Sequence, residues 1–296
     1  MTVEEQRKLL GADGDIEKDC DRIAQEAARQ VLDMTSFTSS IANMLGAIEE
    51  LDPVDVENKE IANAIDLERD VEQTGEPRKM CELAEWMERY EGLAEDEEDW
   101  ACAMLKWYAK AALAGAPAAI SSIGRAFRGS FDDASIFASP DEDIDTNEDD
   151  CLLQDPIIAA TCELSAAKRG DSYGMLKWYH YYMGWHDEKV CERNFDKAME
   201  YLIQLVERSY EVNKGTMRDQ WAFQGPYQLE LLVKKAPPQK DAAWNDYEYP
   251  YIFGLCHEHG WVLKKDINKA LDYYRMGAGF GHEKSISAVK RLEVKG

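Results

Sequence analysis

The residues best suited to chemistry by type are Cys256-His257-Glu258-His259, the one run where metal-ligand side chains crowd together. Two histidines one residue apart on a helix project about 200° from each other, so they do not readily share one ion. His257 also falls at a helix position that is aromatic elsewhere in the chain, so a packed, hydrogen-bonded histidine is the plain alternative. No HExxH and no CxxC pair is present, and zinc sites use such spacings. Asp141, Asp143, Asp145 and Asp149 stand at positions 1, 3, 5 and 9 of an EF-hand loop. Thr146 replaces the required glycine, however, and Leu152 the bidentate glutamate, so the stretch reads as a charged loop. Nucleophilic catalysis has no motif: there is no G-x-S-x-G, and the five histidines (180, 186, 257, 259, 282) lack a recognisable Ser or Cys partner. Phosphate-binding glycine loops are missing too. Gly277, Gly279 and Gly281 close a helix rather than open one, the wrong polarity for an anion. No catalytic residue, metal ligand or cofactor is predicted.

Aromatic residues give a stronger signal. Trp178, Tyr179, Tyr181, Tyr182 and Trp185 form one cluster, and Tyr247, Tyr249, Tyr251 and Phe253 a second. Consecutive aromatics cannot all face one helix core, because a side returns only every three or four residues. Tyr182 reads as core. Tyr181 and Trp185, four apart, share another face, and so do Tyr247 and Tyr251. Either these four pack against neighbouring helices, or they line a groove that grips a peptide, since exposed Tyr and Trp make good anchors.

The elements that must position them are helices. From Tyr249 to Leu292 the chain reads helix, glycine turn, helix, glycine turn, helix. Gly260 closes the first, and Asp266 stands as N-cap of the next. Ile267, Ala270, Leu271, Tyr274 and Ala278 give that helix an apolar face. Gly254, Gly260, Val262, Asp266, Lys269-Ala270, Tyr273-Tyr274, Ala278 and Gly281-His282 together resemble the Sel-one-like repeat, a relative of the tetratricopeptide repeat. The resemblance implies an all-α fold, a right-handed α/α superhelical solenoid of helix-turn-helix repeats, and a role as adaptor or scaffold.

Positions equivalent to the Gly281 turn recur at Pro77, Gly115, Gly170, Ser209 and Asn245, spaced by 38, 55, 39, 36 and 36 residues. Ala112 and Ala167 match Ala278, and Gly124 matches Gly254, where a small residue lets two helices approach. About four helical pairs result. The 55-residue spacing holds an acidic insertion at about 130–154. Tyr179 stands where the best repeats have glycine, which wedges that pair wider. Ala236-Pro237-Pro238 interrupt the poorest unit. Helices at 15–33, about 39–50 and 55–74 match the repeat badly. Residues 1–76 therefore read as an N-terminal helical cap, and 77–296 as the repeat domain.

Composition narrows the function. The 296 residues carry a formal charge of −24, with eight Lys/Arg against four Asp/Glu in 264–296 and −28 on the remainder. Nucleic acid, which needs clustered cations, is an unlikely partner on this balance, whereas a basic protein would be attracted. No signal peptide and no membrane span are evident. The seven irregularly spaced cysteines fit a reducing cytoplasm. The expected function is a non-catalytic scaffold or adaptor holding a partner protein or peptide on its concave face, at Tyr181, Trp185, Tyr247 and Tyr251. One variant is a neutralising partner of a basic toxin or effector. The competing class is a hydrolase of a cell-wall or drug-like substrate, which a His set beside a Ser, Cys or carboxylate in a deep pocket would support.

Overall fold

A computed structural model describes residues 2–35, 38, 40–45, 56–90, 97–131, 137–138, 151–186, 190–213, 219, 221–235 and 245–294. The fold is all-α, built of helix-turn-helix pairs of the α/α solenoid kind, with one two-residue parallel strand pair among the described residues. The chain falls into two compact units, Met1–Tyr181 with His186–Glu192, and Tyr182–Trp185 with Arg193–Gly296.

The first unit contains α1 (Val3–Leu10), α2 (Ile16–Met34), α3 (Ile41–Met44), α4 (Val56–Thr74), α5 (Pro77–Arg89), α6 (Glu97–Leu113), α7 (Pro117–Phe127), α8 (Pro156–Lys168) and most of α9 (Ser172–Met183). The helix expected at about 39–50 is described only as the single turn α3, and the rest of that range lies outside the described residues. The candidate calcium loop from Asp141 lies outside them as well, apart from Cys151 and Leu152 at its end. Pro at the first position opens α5, α7 and α8, where its missing N–H leaves no helical bond unmade.

Helix α2 organises this unit. Asp15 caps it, accepting from the backbone amides of Glu17 and Lys18. Cys20, Ile23, Ala24, Ala27, Ala28 and Val31 recur at three- and four-residue spacing and are all buried. This narrow stripe packs against α6, α7 and α8, whereas α4 packs on α5. Helix α6 is buried nearly all round from Trp100 to Ala112, as a helix enclosed by α2, α5 and α7 must be. Polar bonds fasten the N-terminal segment. Gln6 exchanges two hydrogen bonds of 2.7 Å with the backbone of Leu153, and Arg7 donates to both oxygens of Asp155 at 2.6 and 2.9 Å.

The second unit holds α10 (Phe195–Asn213), α11 (Gln224–Lys235), α12 (Glu248–His259), α13 (Ile267–Gly279) and α14 (Glu283–Glu293). Ser209, expected at a turn, lies buried inside α10 instead. No Gly or Pro occurs between Phe195 and Asn213 to stop that helix. Helix α12 ends where Gly260 adopts φ 77°, and Asp266 caps α13 by accepting from the Lys269 amide. Ala270 and Tyr274 face inward on α13, but Ile267, expected on the same face, is 42% exposed.

Candidate functional site

The site is built on α12, whose aromatics occupy two rows because residues four apart return to one side. One row is Tyr251 together with Tyr247, the N-cap residue just before the helix. Tyr247 stacks on the imidazole of His282 at 4.5 Å, Tyr251 meets the same ring edge-on at 4.8 Å, and both contact Phe195 at the start of α10. The structure thus brings this predicted pair together around a buried histidine.

His282 lies between Ser285 Oγ, 2.7 Å from Nδ1, and Asp196 Oδ1, 2.9 Å from Nε2. A carboxylate only accepts, so Nε2–H donates to Asp196 and leaves Nδ1 to accept the Ser285 hydroxyl proton. The order Ser–His–Asp matches a hydrolytic triad, but its surroundings do not. Ser285 is fully buried, and its Oγ lies so near α13 that a Cβ on Gly277 would meet it at 2.5 Å. A nucleophilic serine needs room for a tetrahedral carbonyl carbon and an oxyanion, and here that space holds α13 backbone. The chain of bonds ties α10 to α14.

Beside it opens a pocket of about 370 Å³, floored by Tyr251, Leu255, Tyr274 and Ala288 and edged by Lys284 and Arg291. The edging cations are engaged. Lys284 Nζ lies 2.9 Å from Glu200, and Arg291 pairs with both oxygens of Glu258. Tyr274 donates to Glu258 at 2.9 Å. Burial alone would push the Glu258 carboxyl up, but the bonds from Arg291 and Tyr274 outweigh it and hold the group below its ordinary value. Burial pushes the Tyr251 hydroxyl up to about 12, so it remains a neutral donor.

The other predicted residues behave differently. Tyr181 is buried and cannot be a surface anchor. It is held by Glu163, a fully buried carboxylate of α8 that needs donors. Arg128 Nη2 approaches Glu163 at 3.0 Å and also donates to the Tyr181 hydroxyl, which itself lies 3.4 Å from Glu163. His186 stacks on the Tyr181 ring at 4.4 Å. Trp185 is 42% exposed, but it lies beyond the end of α9 and shares no helix face with Tyr181.

Sequence reasoning missed the second row of α12. Tyr249, Phe253 and His257 are half-buried, and Tyr273 of α13 contacts each, at 6.1, 5.3 and 5.7 Å. The signal was the i, i+4, i+8 spacing, equal to that used to choose Tyr247 and Tyr251. His257 is packed and hydrogen-bonded, with Nδ1 3.0 Å from the Lys264 carbonyl oxygen, while His259 stacks on Trp261. Among the described residues no group of three His, Cys, Asp or Glu could hold an ion, and no helix is long and apolar enough to cross a membrane. Burial pushes the Cys81 and Cys256 thiols up to about 12 and the Cys162 thiol further, which suppresses the nucleophilic thiolate.

No protein-family model and no curated protein matches the chain. Solved structures similar to it include the following two. One is a Sel1 repeat protein from Oxalobacter formigenes, 17% identical, with 73% of this chain and 63% of that chain covered and a TM-score of 0.32. The other is a protective antigen present in uropathogenic Escherichia coli strains and displaying an SLR fold, 15% identical, with 100% and 60% covered and a TM-score of 0.23. The chain therefore spans less than two thirds of the length of either.

Proposed function

We propose that this chain is a non-catalytic scaffold or adaptor that holds a partner protein or peptide, with the second unit's pocket as an anchoring point. The observation that carries this reading is the pocket beside Tyr251: an open apolar floor whose edging cations, Lys284 and Arg291, are already tied to neighbouring carboxylates, with Glu283 also on the rim. Such a recess accepts a partner's side chain on the floor while the rim orients the surrounding backbone. Half-buried Tyr247 and the exposed Trp185 supply aromatic surface to the same unit, whereas Tyr251, expected as a surface anchor, is 7% exposed and reaches a partner only through the pocket floor. The −28 carried by residues 1–263 favours a basic partner and fast, salt-sensitive capture. The irregular spacing of the seven cysteines accords with a reducing compartment such as the cytoplasm.

The test is affinity capture at low and high salt, comparing the whole chain with Ser287→Trp, which fills the pocket from an exposed position of α14. A single protein retained by the wild type, released by salt and lost with the variant is the expected result. Retention of nothing by the wild type at either salt would overturn the scaffold reading.

A further inference from the structure

Helices α8 and α13 are built alike. Asp155 and Asp266 cap them, each accepting a backbone amide hydrogen of the first turn. Both end in a residue with φ near −90°, Arg169 and Phe280, and then turn on a glycine with positive φ, Gly170 at 95° and Gly281 at 81°. The number of residues from cap to turn is the same, so Ser165, Lys168 and Arg169 correspond to Met276, Gly279 and Phe280.

Those three α8 positions are where α2 is held. Ser165 donates to Asp21 at 2.6 Å, Lys168 donates to the Glu17 carbonyl and approaches Cys20 Sγ at 3.2 Å, and Arg169 Nε lies 3.4 Å from Asp21. On α13 no helix among the described residues covers the equivalent face. Met276 is 51% and Phe280 56% exposed, and nothing lies within 4 Å of where a Cβ on Gly279 would stand. Tyr273, one turn from Met276, continues this apolar strip towards Tyr249 and Phe253. Exposed Lys269 stands on the same side of α13 two turns before Met276, and exposed Lys264 and Lys265 precede the helix, within the segment of the chain where cations outnumber carboxylates. Asp272, one turn from Met276, is exposed as well.

We infer that the Met276–Gly279–Phe280 face of α13 docks an acidic amphipathic helix of a partner protein, much as the same face of α8 docks α2. Glycine lets the incoming helix approach closely, Met and Phe replace the polar hooks of α8 with apolar contact, and the lysines select negative charge. The α2 helix is itself an example of the ligand class: it has a narrow buried stripe and carboxylates in its first turn. This inference rests on the scaffold reading and adds a second contact: the acidic helix is the part of the partner that meets residues 264–296, where cations are in excess, and is distinct from the basic surface that residues 1–263 attract.

The probe is a fluorescein-labelled peptide of residues 13–35 with Cys20→Ser, titrated against the whole chain. Binding is read by anisotropy and its location by hydrogen exchange. Saturable binding with added protection confined to α13, weakened at least about tenfold by Met276→Glu with Phe280→Glu, is expected. Both substitutions are at exposed positions, and unchanged circular dichroism will confirm the fold. No binding, binding indifferent to the double variant, or protection changes at α6 and α8 from displacement of the resident α2 would each overturn the inference. If the inference fails while the wild type still captures a protein that Ser287→Trp loses, the scaffold reading stands alone. Self-association of the chain that is abolished by the double variant would assign the face to a second copy and overturn the acidic-helix partner.

Discussion

Gly254 of α12 lies against the ring of Tyr274 of α13 so closely that a Cβ would meet Cε1 at 2.5 Å. The ring cannot retreat, because Tyr274 is fully buried and its hydroxyl is bound to Glu258. Gly254→Ala is therefore expected to destabilise the second unit by about 1–3 kcal/mol through overpacking. Gly279→Ala, with open space around it, should be neutral or stabilising by up to about 1 kcal/mol. Urea denaturation of both variants checks the contrast.

Glu258 makes that unit's stability pH-dependent. Its folded value is depressed, so its contribution is present above the ordinary carboxylate range and is lost as pH falls through the folded value. Arg291→Ala leaves a buried carboxylate with one fewer donor, and Arg291 is itself 45% exposed. The expected cost is about 1–3 kcal/mol near neutral pH. The cost should shrink in acid, where Glu258 is protonated in both forms. Equal costs at pH 7 and at a pH below the folded value of Glu258 would contradict the assignment.

The thiols should separate by environment. Cys151 and Cys191 are partly exposed, while Cys20, Cys81, Cys102, Cys162 and Cys256 are buried. Titration with a disulfide reagent at pH 8 is expected to modify the first two quickly in the native chain. Cys81 and Cys256, pushed up to about 12, should react only on unfolding.

Ser285 should stay silent towards a fluorophosphonate, since its hydroxyl is enclosed by α13 and committed to His282. Mass spectrometry after prolonged incubation tests this, and a labelled Ser285 would show that the α13–α14 contact opens.

Local signals were the legible part of this sequence. Asp266 caps α13, Gly260 and Gly281 turn the chain with positive φ, and Gly124, like Gly254, admits a neighbouring helix closely. A period extended without a local breaker failed at Ser209, because nothing there interrupts α10. The short helix α1 was overlooked although Thr2 and Glu5 form a capping box, a signature visible in the sequence. At the site, the spacing of Tyr247 and Tyr251 was informative, but that of Tyr181 and Trp185 was not, since α9 ends at Met183 between them. Which of two aromatic rows stays half-exposed depends on Tyr273 and His282, neighbours that only the tertiary fold supplies. The position of α2 is equally non-local: its partners Ser165 and Lys168 carry no mark in the sequence.

The anchoring of the N-terminal segment also sets an order of events during synthesis. Gln6 and Arg7 find their partners at Leu153 and Asp155, and α2 finds Ser165 and Lys168. Helices α1 and α2 thus leave the ribosome well before the partners that satisfy them. Until Lys168 has emerged, the Cys20–Val31 stripe has an incomplete surface to cover, and closure must span a long loop of chain. Growth from the N-terminus, repeat by repeat, is not open to this unit. Its nascent form exposes an amphipathic helix that a chaperone, or a neighbouring nascent copy, can bind first.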